Sequence, residues 1–350
     1  MHMADALISP IVGGAMWVAT AGVAAYSVKK IQTEMDEKKV PLMGVMGAFI
    51  FASQMINFTI PGTGSSGHLG GGLILAILLG PYAGFLTMAS VLTIQALFFA
   101  DGGLLALGSN VFNMGFFTCF VVYPLIYKGL MRKGYATRRI FFASILTAII
   151  GLQMGAFGVV LETFFSGKTE LPFNTFVLLM QPIHLAIGAI EGLVTATIVT
   201  YIWNIRPEII EKAASGEAMG NISIKKVAAG LVIVALITGV GLSRFASSNP
   251  DGLEWAMMKT AGTTELEAPG GIHQILSEIQ SKIAFLPDYS FKTSEREKES
   301  GAREGEEVWP AVSGGTSTAG LVGGGMTLAL AIFMGLGISM LKKRKNKVNA

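Results

Sequence analysis

Long apolar runs separated by short polar joints make up most of this chain. They fall near residues 8–28, 41–58, 72–90, 91–108, 111–127, 140–164, 176–203, 226–243 and 319–341. About 20 apolar residues in helical conformation cross about 30 Å of hydrocarbon, and a backbone in lipid must satisfy its own hydrogen bonds. Each run therefore predicts a transmembrane helix. The third and fourth runs are the ambiguous ones. Leu69 to Leu107 is almost continuously apolar with Pro81 and several glycines inside it, which fits two short spans or one span with a re-entrant piece.

The runs divide the chain unequally. Residues 1–204 hold seven spans on short joints, and 205–223 read as a polar cytoplasmic linker. Residues 224–350 form a two-span accessory part around a long external loop, 244–318, with amphipathic character at Ile272–Leu286 and a charged stretch from Ser294 to Glu307. That loop has no strong apolar core and is expected to be flexible in part. The expected fold is an all-α integral membrane protein of about nine helices, a seven-helix bundle followed by a two-helix segment. No internal repeat is visible.

Composition agrees. Hydrophobic residues make up 51% of the 350 and charged residues only 14%, against about 25% charged in a soluble domain. The net charge of +3 is small and lies in short clusters, which sets topology rather than nucleic-acid binding. Lys29, Lys30, Lys38 and Lys39 follow the first span, and Lys128, Arg132, Lys133, Arg138 and Arg139 follow the fifth. Arg206, Lys212, Lys225 and Lys226 flank the linker, and Lys342, Lys343, Arg344, Lys345 and Lys347 close the chain. With nine spans and the N-terminus outside, every cluster falls in the cytoplasm, the C-terminus included. The single cysteine, Cys119, excludes a disulfide framework and a thiolate metal site. The start of the chain has no basic n-region or A-x-A-like cleavage site, so its first residues are expected to stay in the mature protein of the cell membrane.

Those first residues carry the first candidate chemistry. The α-amine of Met1, the deprotonated amide nitrogen of His2 and the His2 imidazole can close two fused chelate rings on one ion. Three coplanar nitrogens suit Ni(II) or Cu(II). A second candidate is the stretch Gln54 to Gly72, where Pro61 and glycines 62, 64, 67, 70 and 71 make regular helix improbable. Irregular backbone at membrane depth is tolerated only where protein buries it or it lines a cavity. His68 in this loop falls on the same external side as Met1 and His2 and offers a fourth nitrogen.

Other polar groups read more plainly. Asp5 is placed to cap the first helix. Asp101, Ser109, Asn110 and Asn113 suit a polar external elbow, with metal ligation as the alternative. His184 and Glu191 lie two turns apart on one helix face and could pair with each other, with backbone, or behind a metal ligand. Gln95 and Gln153 suit interhelical hydrogen bonds, and His273 a solvated loop. No H-E-x-x-H, G-x-S-x-G or Walker A motif is present, so an enzyme is not expected and ATP hydrolysis would need another subunit.

Four stretches carry a family resemblance: Met1-His2, QMINFTIPGTGSSGHLGGG (54–72), FFADGGLLALGSNVFNMG (98–115) and HLAIGAIEGLVTA (184–196). Together they resemble the M component of nickel/cobalt energy-coupling-factor transporters, and SNPDGLEWA (248–256) resembles the accompanying N component. The resemblance implies a natural M–N fusion in a bacterial or archaeal cell membrane. Such a subunit captures a transition-metal ion without chemistry of its own and imports it with a transmembrane coupling subunit and cytoplasmic ATPase subunits. It also implies Met1, His2 and His68 as metal ligands, and a contact with the coupling subunit through small residues such as Ala15 and Ala19. The loop PGTGSSGH is one residue longer than the PGGTSGH usual in cobalt members and is more like the nickel branch. Ni2+ is the expected cargo. Co2+ import for cobalamin synthesis and a non-transporting metal sensor remain the alternatives.

Overall fold

In the computed structural model, which describes residues 1–34, 39–220, 222–268, 270–291 and 314–348, the chain is a helical bundle. Helix α1 (Pro10–Glu34) leads into α2 (Lys39–Gln54), and a hairpin of β1 (Phe58–Ile60) and β2 (Ser65–Gly67) follows. Next come α3 (Gly72–Leu79), α4 (Pro81–Phe99), α5 (Leu107–Met131), α6 (Thr137–Phe165) and α7 (Phe173–Ile205). Beyond them lie α8 (Pro207–Ser215), α9 (Lys225–Phe245), α10 (Gly252–Ala261), α11 (Ile272–Ile283) and α12 (Gly314–Val348). Among the described residues seven helices are long and apolar enough to cross a membrane: α1, α4, α5, α6, α7, α9 and α12.

The other two expected spans are shorter. Helix α2 has 16 residues and α3 only 8. The chain breaks at Gly80, ten residues earlier than the apolar pattern alone suggested, because Gly80 takes φ 82° and Pro81 starts α4. Proline suits a first helical position, where its missing N–H has no partner to lose, and glycine suits the positive φ before it. At about 1.5 Å per residue α3 rises only about 12 Å. Its far end, at Gly80, lines a cavity with Ile31, Lys39, Lys128 and Ala213, where basic clusters gather. Its near end, and the hairpin before it, therefore sit deep in the bundle. This is the re-entrant alternative.

Close backbone approach holds the bundle together. A Cβ on Gly192 of α7 would lie 2.5 Å from the Ile145 Cα of α6, and one on Gly188 would lie 2.9 Å from the Ile149 Cα. Small residues at such crossings let helices pack by dispersion where lipid removes the hydrophobic drive. The accessory helix α12 joins in the same way, with Gly323 lying under the Phe51 ring of α2. In contrast, α1 leaves most of its outer face uncovered, Ala15 and Ala19 included.

Two polar segments are more ordered than composition suggested. The expected linker contains α8, whose Ile209, Ile210 and Ala213 are buried. The described part of the accessory loop lies on the hairpin instead of extending freely. The Ser66 N–H donates to the Pro250 carbonyl at 2.8 Å and the Ser247 N–H to the Asn57 carbonyl at 2.7 Å. The Trp255 indole donates to the Thr63 carbonyl at 2.9 Å. The charged stretch Ser294 to Glu307 lies outside the described residues.

Candidate metal site

The start of the chain is threaded into the bundle rather than left as a tail. The Met3 N–H donates to Asn110 Oδ1 at 2.8 Å, while Asn110 Nδ2 and the Gly103 N–H donate to the Met3 carbonyl at 3.2 and 2.9 Å. Asn110 thus clamps the Met3 backbone from within the polar elbow. Asp5 does not cap α1; its carboxylate accepts the Ala106 N–H at 3.0 Å and pins the 101–106 turn. A Cβ on Gly103 would fall 1.8 Å from Asp5 Oδ1, so only glycine fits there. His273 is buried, not solvated, because its Nε2 donates to the Ile8 carbonyl at 2.9 Å.

This threading brings Met1, His2 and His68 together. The His2 and His68 rings stack with centroids 5.1 Å apart and planes 10° from parallel. The Met1 ammonium meets Asp251 Oδ2 at 3.1 Å. His2 Nδ1 lies 3.2 Å from Asp101 Oδ1, and the other Asp101 oxygen accepts the Tyr289 hydroxyl. His68 Nδ1 faces the Leu69 carbonyl at 3.1 Å. A carbonyl only accepts, so Nδ1 carries the proton and Nε2 keeps the lone pair a metal would need.

Electrostatics prepare both rings. Burial, reinforced by the terminal ammonium, pushes the His2 imidazole down to about 3 and that of His68 down to about 4. Both are neutral at pH 7. Burial raises Asp101 above the usual carboxylate range. At Asp251 burial works in the same direction, but the ammonium overrides it and holds the carboxyl well below that range. A cavity of about 410 Å³ leads to this group, lined by His2, His68, Asp101, Asp251, Glu254 and Tyr289 among others.

The loop is held from below. Glu191 of α7 accepts the Gly70 and Gly71 N–H groups at 2.8 and 3.0 Å. His184 does not pair with Glu191. It turns Nδ1 to the Met180 carbonyl at 2.8 Å, its Nε2 has no hydrogen-bond partner, and the residue borders a small cavity with Met1 and His68. Asn113 donates to Glu162 at 2.9 Å, and Gln153 donates to the Gln181 carbonyl at 2.7 Å. Among the described residues no three His, Cys, Asp or Glu side chains are placed to hold a metal. Sequence reading did not single out Asp251 or Tyr289. The signal for Asp251 was its Asp-Gly-Leu-Glu254 pattern, realised as a capping box that fixes the turn before α10.

Residues 2–209 match the family model described as the cobalt uptake substrate-specific transmembrane region, CbiM. The chain belongs to this family. Residues 225–340 match the PDGLE domain, so this CbiM-family chain is a fused M–N component of a nickel/cobalt energy-coupling-factor transporter. It is a multi-pass membrane transport component. It is 36% identical over 236 residues to the putative fused nickel transport protein NikMN of Archaeoglobus fulgidus, covering 67% of this chain and 76% of that one. It is 29% identical over 231 residues to the cobalt transport protein CbiM of Geobacter sulfurreducens, covering 63% and 64%. The crystal structure of a truncated transition-metal transporter superposes with a TM-score of 0.52 at 31% identity, covering 59% of this chain and 99% of that one.

Proposed function

We propose that this chain captures Ni2+ from outside the cell on four nitrogens: the Met1 amine, the His2 amide, His2 Nδ1 and His68 Nε2. The observation that carries the proposal is the stacking of two buried, neutral imidazoles beside the chain's own ammonium. The amine and amide close a five-membered ring on the ion, and the amide with Nδ1 closes a six-membered one. His68 fills the remaining corner of the plane. Capture requires the ammonium to leave Asp251 and the His2 Nδ1 to leave Asp101, two short movements inside a preformed pocket. Residues 1–204 act as the capture domain, 205–223 as a cytoplasmic linker and 224–350 as the accessory domain. A transmembrane coupling subunit and cytoplasmic ATPase subunits then drive delivery inward.

Co2+ is the second reading, favoured by the cobalt transport relatives. Planar four-nitrogen ligation and the longer loop favour Ni2+. One added residue before Met1 is expected to abolish uptake of radioactive nickel in cells carrying all the subunits, while the extended protein still inserts and melts normally. His68→Ala is expected to lower Ni2+ affinity strongly in titration of the purified chain. Full accumulation by the extended protein would remove the terminal amine from the site. Uptake that is indifferent to the ATPase subunits would favour a sensor over a transporter.

A further inference from the structure

Two buried polar atoms beside the proposed ligands have no partner, Nε2 of His2 and Oε1 of Gln95. Their side chains stand within hydrogen-bonding reach of one another. A buried polar atom left without a partner destabilises the state that holds it. Two adjacent orphans therefore point to a state of the molecule in which they are joined.

The orientation of Gln95 is fixed from a distance. Gln95 Nε2 donates to Gln54 Oε1 at 2.7 Å, and Gln54 Nε2 donates to the Gly70 carbonyl at 3.0 Å. The Gly70 carbonyl can only accept, so the Gln54 amide nitrogen must face it. Gln54 then turns its oxygen to Gln95, and Gln95 turns its own oxygen to His2. Flipping either amide would set oxygen against oxygen. The relay therefore presents His2 with an acceptor, and an acceptor is satisfied only when Nε2 carries the proton.

With Nδ1 facing Asp101 it does not. Asp101 Oδ1 lies 3.2 Å from His2 Nδ1, so the single proton of the neutral ring sits on Nδ1 and leaves Nε2 a lone pair facing the Gln95 oxygen. Chelation through the terminal amine and the His2 amide needs the Nδ1 lone pair, because Nδ1 closes the six-membered ring. The ring's one proton then resides on Nε2, where Gln95 Oε1 accepts it. The second nitrogen of a metal-bound imidazole characteristically has such a partner.

We propose that Gln95 is a positioning residue that holds the metal-donor tautomer of His2, and that the Gln95–Gln54–Gly70 relay links this tautomer to the loop carrying His68. The imidazole neither gains nor loses a proton overall, because Ni2+ takes the place of the proton on Nδ1. Gln95 and Gln54 are buried at 0% and 5% exposure, so water does not substitute for the relay. The inference rests on His2 being a metal ligand.

The test combines titration with nitrogen NMR of the purified full chain labelled in its histidines. Planar four-nitrogen Ni2+ is diamagnetic, so the loaded protein can be read directly. His2 is expected to carry its proton on Nδ1 without metal and on Nε2 with Ni2+. Gln95→Leu is expected to weaken Ni2+ binding about 10- to 100-fold. A loaded His2 that still carries its proton on Nδ1 overturns the proposal, and this reading needs no variant to fold. So does Gln95→Leu binding within about twofold of the parent. If His2→Ala binds as tightly as the parent, the capture site itself falls and the inference with it. If His2→Ala loses the metal and Gln95→Leu does not, the inference alone falls.

Discussion

Two imidazoles that are already neutral change what metal binding does to protons. His2 and His68 lie at about 3 and about 4, so at pH 6 to 7 neither ring has a proton to give up to Ni2+. The protons released come from the Met1 ammonium and the His2 amide, and their number is about two per ion. Calorimetric titration in buffers of different ionisation enthalpy measures that number, and a value of three or more would mean that the rings were charged. His273 gives a second prediction at this scale. Its hydrogen bond to the Ile8 carbonyl anchors the threaded start of the chain, and such a bond contributes about 1 kcal/mol. His273→Ala is therefore expected to lower Ni2+ affinity about fivefold, far less than His68→Ala. Affinity unchanged in His273→Ala would show that the start of the chain holds its place without the anchor.

Seven of the nine expected spans were legible in the sequence because length and hydropathy report them directly, and the irregular backbone before α3 because Pro61 and its glycines cannot stay helical. Gly80-Pro81 marked the true break, yet the apolar run hides it from any count of hydrophobic residues. The partners of the loop were not legible. Met3 and Asn110 are 107 positions apart and Met1 and Asp251 are 250 apart, and backbone groups that accept or donate leave no periodic trace. Glu191 shows what such partners do for an element. Its two oxygens take the Gly70 and Gly71 N–H groups, which have no strand neighbour at that point. Glu191→Gln keeps the volume but replaces one acceptor with a donor, leaving one buried N–H facing another. A cost of about 1–3 kcal/mol falls on the loop. The expected outcome is faster amide exchange through residues 65–71 and weaker Ni2+ binding, with normal membrane insertion. Exchange equal to that of the parent would show that Glu191 does not hold the loop.

At the scale of the whole molecule, the candidate site is assembled from both family regions. The M region supplies the stacked rings, and the N region supplies Asp251 and Tyr289 at the mouth. The accessory helices are no loose attachment, since α12 presses Gly323 against Phe51 of α2. The N region therefore orders the site as well as adjoining it, and the turn at Pro250–Gly252 is where that can be tested. A Cβ on Gly252 would meet Ile187 Cδ1 at 3.1 Å and His184 Cε1 at 3.2 Å, and the branched side chain of valine would go further into α7. Gly252→Val should lift the turn, draw Asp251 from the ammonium and break the Ser66 to Pro250 bond of 2.8 Å. Both ends of the pocket then loosen together, although no proposed ligand has been touched. Faster hydrogen exchange is expected at residues 3–8 and at 57–71 in the same variant, together with slower nickel uptake by the assembled transporter. Loosening confined to the turn, with uptake at the parent rate, would mean that the M region builds its site without the N region.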